Sequence, residues 1–306
     1  NAALAEIDKK MGITDTLLEL KEVNDLIKKY SSGEIIVQNP AVTRKKEFNK
    51  VYEISDNDSI DLVDLNLVLN DYGLKNEFNF IQGLLAKNNV KVSVDNTVAT
   101  PYLQQPFALG ADFVFHSATK FLNGHGSALH GVLLGKDLTF MNTKAWKWHV
   151  LLGGNSNAFD AYLLIQGMKT LEIRMERHCS NTHKLAQFLN NHSAIEKVNY
   201  TGLPSHPDHS LASKQMKQHA PLISFELKGG LEAGKKFLNA LEICTRAVSL
   251  GTVDTLVSHP ASMTHYGIPR EQRIQYGITD GLIRMSVGIE NYEDLEADLA
   301  QALSKI

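Results

Sequence analysis

Two short β-rich runs constrain the fold of this chain more than any other feature of its sequence. Residues 90–94 end at Asp95, and Phe113-Val114-Phe115 ends at His116-Ser117. A third apolar run follows at residues 132–134, and segments with helical periodicity alternate with such runs. This alternation is typical of an α/β fold with a mostly parallel sheet, which binds ligands beyond the carboxyl ends of its strands. Asp95 and Ser117 are therefore candidate ligand-binding residues.

The second half of the chain begins with a long helical pattern and continues as a mixture of helices and strands. Apolar residues recur at helical spacing from Ala158 to Phe188, with a bend or close packing expected at Gly167. We predict a large domain at residues 1–160, and a linking helix with a smaller α+β domain at residues 161–306. Within the smaller domain, strands are predicted at residues 222–227, 247–250 and 282–287, and helices at 232–241 and 293–303. Near the start of the chain, the patterns predict a helix at residues 14–30, a strand at 34–37, and a polar loop with a strand or short helix at 43–75.

Composition and charge exclude several classes of partner. The 306 residues carry a net charge of −3, which provides no general cationic field for nucleic acid or anionic lipid. The longest apolar runs are too short to span a bilayer, so we expect neither nucleic acid nor membrane as a partner. The two cysteines lack a CxxC pattern, and the twelve histidines show no metal-binding spacing. No metal is therefore expected, and a cytoplasmic protein with reduced thiols is favoured.

A lysine follows the second β-rich run, close behind two hydroxyl residues. Lys120 comes directly after Thr119 and three residues after Ser117, so its amine can reach the crevice while both hydroxyls hydrogen-bond a phosphate. The alternative is a surface lysine after a turn, because lysine is mostly exposed. Asp95 can pair with a cationic ring nitrogen, or it can be an ordinary turn or helix-cap aspartate.

An arginine lies within the apolar run of residues 281–288. If Arg284 is buried it needs a partner, either a substrate carboxylate that suits its planar fork or a protein acid in a structural ion pair. Ser249 can contact the same carboxylate or Lys120, or be a plain loop serine. Pyridoxal 5'-phosphate (PLP) requires an amine for a Schiff base, an acid against the pyridine nitrogen, donors for the phosphate and a cation for the substrate carboxylate. Each requirement has a candidate among these residues.

Longer stretches around these candidates resemble one enzyme family, the Cys/Met-metabolism (trans-sulfuration) PLP-dependent enzymes. The family includes cystathionine γ-synthase, cystathionine γ-lyase, methionine γ-lyase and the homoserine-ester sulfhydrylases. The similarity extends from about Lys91 to the C-terminus. It is carried by residues 94–104, 109–112, His116-Ser117-Ala118-Thr119-Lys120, 123–125, 167–171, 174–178, 259–265 and 277–284.

This resemblance implies a fold, a cofactor and a role for each candidate. The fold would be the PLP-dependent transferase fold type I, which resembles aspartate aminotransferase, with residues 1–160 as the PLP-binding domain. Lys120 would form the Schiff base with PLP and shuttle protons between substrate carbons. Asp95 would hold the pyridinium, and Ser117 and Thr119 the phosphate. Arg284 would bind the α-carboxylate of a small amino-acid substrate, with Ser249 nearby.

The chain also departs from the family pattern. A family segment that supplies further phosphate ligands, a cofactor-stacking aromatic residue and side chains for the neighbouring subunit has no counterpart here. Asn39 is the candidate for the asparagine that touches substrate and cofactor. His130 stands where glycine is common. The resemblance implies a homo-oligomer, a dimer or tetramer.

The resemblance implies chemistry on sulfur amino acids, and the reaction type stays open between two forms. Residues 249–256 and 262–265 favour the γ-lyase and γ-synthase members over the sulfhydrylases. We expect γ-elimination, with γ-replacement on an O-acylhomoserine as the alternative. A third hypothesis is a truncated or diverged member that does not catalyse a reaction.

Overall fold

Residues 91–306 are the part of the chain that the computed structural model describes, and they form two β-sheets. The predictions for residues 14–30, 34–37 and 43–75, and the candidate Asn39, lie outside these described residues. The division of the chain between residues 160 and 161 stays a prediction. No helix within residues 91–306 combines the length and the apolar character needed to cross a membrane.

The first sheet brings the two β-rich runs together. Strands β1 (Ser93–Asp95), β2 (Phe113–Ser117) and β3 (Gly131–Gly135) follow the order β1-β2-β3. β1 and β2 are parallel, as predicted, and place Asp95 opposite Phe115, whereas β3 is antiparallel to β2. The carboxyl ends of β1 and β2 therefore meet at one edge of the sheet, where Asp95 and Ser117 lie.

The long helical pattern forms two helices rather than one. Before it come α1 (Thr100–Leu103), α2 (Leu138–Phe140), a π-helical turn (Met141–Ala145) and α3 (Trp146–Leu151). The pattern itself is divided into α4 (Ala158–Met168) and α5 (Leu171–Asn190). The bend expected at Gly167 is confirmed within three residues. Gly167 packs so closely against the Asn123 carbonyl that no side chain fits, and the Thr170 hydroxyl donates to the Gly167 carbonyl at 3.2 Å.

The second sheet has the strand order β4-β5-β8-β7-β6, with mostly antiparallel neighbours. The predicted strands at residues 222–227 and 282–287 are confirmed. Its strands are β4 (Ile195–Asn199), β5 (Leu222–Leu227), β6 (Thr245–Arg246), β7 (Leu256–Ser258) and β8 (Leu282–Ser286). The accompanying helices are α6 (His209–Gln215), α7 (Gly230–Ala240), a 3-10 turn (Pro260–Ser262), α8 (Arg270–Gln275) and α9 (Tyr292–Leu303).

The predicted strand at residues 247–250 is wrong. The strand in this region, β6, ends at Arg246, and only the Ala247 N–H continues the pairing, to the Val257 carbonyl at 3.0 Å. The carbonyls of Val248 and Ser249 instead accept hydrogen bonds from the Arg284 guanidinium. The apolar run predicted a strand here. The Arg284 side chain of β8 instead supplies the hydrogen bonds that a neighbouring strand would have supplied.

Two hydrophobic clusters hold this architecture together. The larger one fills the space between the second sheet and helices α5, α7 and α9, with Phe225, Ile283 and Phe237 fully buried. The smaller one lies directly behind Lys120 and contains Leu103, Phe121, Met175 and Cys179. Complete burial of a side chain such as Phe121 contributes about 2 kcal/mol. The backbone that follows Lys120 is therefore anchored in a packed core.

Candidate active site

Asp95 and Ser117 lie at neighbouring strand ends and are linked through Thr97. Asp95 is exposed, and its Oδ1 accepts the Thr97 N–H at 2.9 Å. The Thr97 hydroxyl accepts the Ser117 N–H at 2.8 Å. Because strand side chains alternate, Asp95, Phe115 and Ser117 share one face of the sheet. Thr97 was not among the predicted site residues, although an Asp-Asn-Thr turn is typical of a local hydrogen bond of this kind.

The two predicted phosphate-binding hydroxyls have different surroundings. The Thr119 hydroxyl donates to the His130 carbonyl at 3.2 Å and accepts the His130 N–H at 2.9 Å. Its proton is therefore already used to attach the Lys120 turn to His130, the residue before β3. No residue in the described part of the chain bonds to the Ser117 hydroxyl. Of the two hydroxyls, only that of Ser117 has a proton not used by another residue between 91 and 306, and it would be available to an anion.

Lys120 lies in a tight turn that follows β2. Its N–H donates to the Ser117 carbonyl at 3.0 Å, and its carbonyl accepts the Gly124 N–H at 2.7 Å. The side chain is half-buried, and Nζ donates to Ser249 Oγ at 2.9 Å. Burial, and secondly the charge of Arg284, lower the pKa of the Lys120 ammonium. A larger fraction of the amine is therefore neutral, which is the form that attacks a carbonyl.

Arg284 projects from β8 and makes hydrogen bonds to carbonyl groups only. Its Nη2 donates to the carbonyls of Val248 at 2.8 Å and Ser249 at 2.9 Å, and burial lowers the pKa of the guanidinium. Within residues 91–306, no acid forms an ion pair with Arg284, and its buried Nε has no partner. A buried N–H group without an acceptor, on a cation without a counter-ion, costs free energy, and a bound anion would recover that cost. A substrate carboxylate would be such an anion.

Ser249 connects the lysine to the arginine. Its hydroxyl accepts from Lys120 Nζ, and its carbonyl accepts from Arg284 Nη2, each at 2.9 Å. Both cationic side chains therefore bind the same residue, and the contact of Ser249 with Lys120 was one of the predicted alternatives. The Lys120 amine and the Arg284 guanidinium are therefore linked through a single residue.

Arg174 is a further residue that the sequence analysis did not identify as functional. It is 3% exposed and donates to the carbonyls of Phe121 at 2.8 Å, Leu122 at 3.3 Å and Gly167 at 2.8 Å. Its guanidinium fills the space next to Gly124, where a side chain would clash with it. Arg174 therefore fixes the backbone that follows Lys120. In the sequence, Arg174 lies between the apolar residues Ile173 and Met175 in a predicted helix, and this was the available indication of its role.

The chemistry of these residues fits PLP. The amine of Lys120 has a lowered pKa, the Asp95 carboxylate is exposed at a strand end, and the Ser117 hydroxyl is unpaired among the described residues. They match the groups that PLP requires, which are an amine for the imine, an acid for the pyridine nitrogen and a donor for the phosphate. Arg284 Nε has no partner among the described residues, so it would be available to a substrate carboxylate.

Comparison with known proteins identifies the family. The model of the Cys/Met metabolism PLP-dependent enzyme family matches residues 76–304. The chain is 54% identical over 223 residues to an L-methionine gamma-lyase of Fusobacterium nucleatum subsp. polymorphum, which covers 71% of this chain and 55% of that protein. It is 46% identical over 226 residues to the cystathionine gamma-lyase of Bacillus subtilis strain 168, covering 72% of this chain and 58% of the relative. The chain thus spans about half the length of the curated relatives it matches.

Solved structures show the same fold. Cystathionine gamma synthase from Xanthomonas oryzae pv. oryzae, in complex with aminoacrylate and cysteine, matches with a TM-score of 0.70 and 41% identity. The match covers 74% of this chain and 58% of that one. Cystathionine gamma-lyase from Lactobacillus plantarum, complexed with L-serine, matches with a TM-score of 0.70 and 39% identity over 74% of this chain and 59% of that one. The predicted α/β class and fold type I are confirmed, and the chain belongs to the Cys/Met-metabolism family of PLP-dependent enzymes.

Proposed function

We propose that this chain provides the catalytic lysine of a PLP-dependent carbon–sulfur lyase that acts on a sulfur amino acid such as methionine or cystathionine. The observation that carries the proposal is the meeting of Lys120 and Arg284 at Ser249. γ-Elimination requires an amine that moves protons close to a group that fixes the substrate carboxylate. The names of the methionine and cystathionine gamma-lyases among the relatives support the same reaction.

Each residue has a role that follows from its contacts. Lys120 and Asp95 would hold PLP through its carbonyl carbon and ring nitrogen, and Ser117 would donate to its phosphate. When bound, PLP supplies an electron sink that makes the α-proton of an amino acid acidic. The neutral Lys120 amine can then take that proton at Nζ and deliver it elsewhere on the substrate. The Ser249 hydroxyl accepts a hydrogen bond from Nζ, and the Arg284 fork orients the carboxylate.

The test measures keto-acid release. The chain is incubated with PLP and methionine, cystathionine or an O-acylhomoserine, and 2-oxobutanoate is assayed. The native chain is expected to release it from at least one sulfur amino acid, and Lys120→Ala to release none. Lys136→Ala, at an exposed surface lysine, is the control and should retain the native rate. No keto acid from any substrate would overturn the proposed reaction.

γ-Replacement is the second candidate. It is supported by the likeness to a cystathionine gamma synthase structure. In the assay above, cysteine is added together with the O-acylhomoserine. Cystathionine formation at a rate above that of 2-oxobutanoate release would favour replacement over elimination.

We also propose that the protein forms a homo-oligomer in the cytoplasm. Several large apolar side chains on α3 and α4 are exposed, among them Trp146, Leu151 and Phe159, and exposed apolar clusters favour association. Both cysteines are free and buried, and free thiols without a disulfide are common in the reducing cytoplasm. Light scattering of the purified protein tests the oligomer, and a monomer at all concentrations would contradict it.

A further inference from the structure

We propose that Gly251 and Ser286 are positioning residues that set the direction of the Lys120 side chain, an inference that rests on the proposed function. Gly251 has a backbone φ of +83°, in the left-handed region that favours glycine. A Cβ atom at Gly251 would lie 2.9 Å from Lys120 Cβ and 2.7 Å from Phe121 N. The bare Cα of Gly251 thus forms the surface against which the base of the lysine side chain packs.

Ser286 holds Gly251 in that place. It is fully buried on β8, and its hydroxyl accepts the Gly251 N–H at 2.9 Å. Arg284 precedes it by two residues on the same strand, so both side chains lie on one face of β8. Arg284 binds the carbonyls of Val248 and Ser249. One strand therefore fixes three backbone groups of the loop 248–251.

The segment 248–253, which contains this loop, is attached to the Lys120 turn at two points. At one end, Ser249 Oγ accepts from Lys120 Nζ at 2.9 Å. At the other, the Val253 N–H donates to the Gly124 carbonyl at 2.8 Å. A loop displaced by an added methyl group at Gly251 would move Ser249 relative to Nζ, because the contact with Lys120 Cβ lies between these two points. Gly251 and Ser286 therefore affect the Lys120 amine through its surroundings, without touching the substrate.

The first experiment compares two glycines. Gly251→Ala introduces both a strained φ and a clash with Lys120. Gly277→Ala is the matched control, because Gly277 has a φ of +75° but nothing within 4 Å of a Cβ. Mass spectrometry follows the acetylation of Lys120 by acetic anhydride against pH without cofactor. PLP affinity is then measured from the absorbance of the bound cofactor, with borohydride trapping at Lys120.

For Gly251→Ala we expect the pH midpoint of Lys120 acetylation to fall, because displacement of Ser249 removes its hydrogen bond with Nζ, and PLP affinity to fall at least tenfold. Gly277→Ala should stay within twofold of the native chain in PLP affinity, with an unchanged midpoint. If Gly251→Ala behaves like Gly277→Ala in both measurements, the positioning role is overturned.

If Gly251→Ala does not fold, a second pair of variants tests the positioning role. Ser286→Ala removes the acceptor of the Gly251 N–H, whereas Ser258→Ala removes a hydroxyl that is equally buried but has no partner among the described residues. We expect Ser286→Ala to weaken PLP affinity at least threefold and to move the Lys120 midpoint, and Ser258→Ala to do neither. Equal behaviour of the two serine variants would overturn the role of Ser286.

The acetylation profile separates this inference from the proposed function. If the native chain traps no PLP at Lys120 but Gly251→Ala still moves the acetylation midpoint, the proposed function fails and the positioning holds. If the native chain binds PLP and releases 2-oxobutanoate while the midpoint and PLP affinity of Gly251→Ala are native, the positioning fails alone.

Discussion

Lys120 and Ser249 are separated by 129 residues of sequence, yet Lys120 Nζ donates a hydrogen bond to Ser249 Oγ at 2.9 Å. A hydrogen bond from an ammonium group stabilises its charged form. We therefore expect Ser249→Ala to lower the pKa of Lys120 further, and Ser249→Thr, which keeps the hydroxyl, to change it less. The pH dependence of Lys120 acetylation measures both. An unchanged midpoint in Ser249→Ala would contradict this role of the serine.

Replacing Arg284 should change the pKa of Lys120 in the opposite direction. The charge of Arg284 lowers that pKa, so Arg284→Met is expected to raise it. Loss of the carboxylate donors should also raise KM for the amino acid by about a hundredfold, which corresponds to about 3 kcal/mol. Arg284→Lys keeps the charge but loses the fork, so the Lys120 pKa should stay low while KM rises. A low Lys120 pKa in Arg284→Met would show that the charge of Arg284 has no effect on it.

Arg174 should contribute strongly to stability because its removal leaves the carbonyls of Phe121 and Leu122 without the donor that they bind. Arg174→Met is expected to reduce the free energy of unfolding by about 3 kcal/mol, measured by urea denaturation. Arg177→Met, at an exposed position on the same helix, is the control and should remain within about 0.5 kcal/mol of the native chain. Similar losses in the two variants would mean that the contacts with Phe121, Leu122 and Gly167 contribute little.

His178 should make the protein sensitive to acid. It is fully buried, its Nδ1 contacts the Val287 carbonyl at 2.7 Å, and burial lowers its pKa from 6.5 to about 4. Between these values the unfolded chain binds a proton that the folded chain does not, so stability is present above pH 6.5 and is lost towards pH 4. The loss from this group is about 3 kcal/mol. His178→Gln should reduce the slope of unfolding free energy against pH in this range, and an unchanged slope would exclude His178 as the cause.

Local sequence patterns predicted the strands that carry the candidate site. The β-rich runs before Asp95 and Ser117 form β1 and β2, and the apolar run around Arg284 forms β8. These predictions hold because side-chain alternation and β-branched residues act within one segment. The run 247–250 has the same local character but forms a loop, because Arg284 binds its carbonyls. A pattern confined to four residues contains no information about that distant partner.

The sequence by itself determined the residue types of the site and their place at strand ends, since periodicity and turn chemistry depend on neighbours in the chain. Only the tertiary structure decided how these residues are connected. It bonds the Thr119 hydroxyl to His130 and leaves that of Ser117 unpaired among the described residues. It also brings Ser249 to both Lys120 and Arg284, and packs Gly251 against the lysine. Buried polar groups must find partners wherever the packed chain supplies them, and those partners lie far away in sequence.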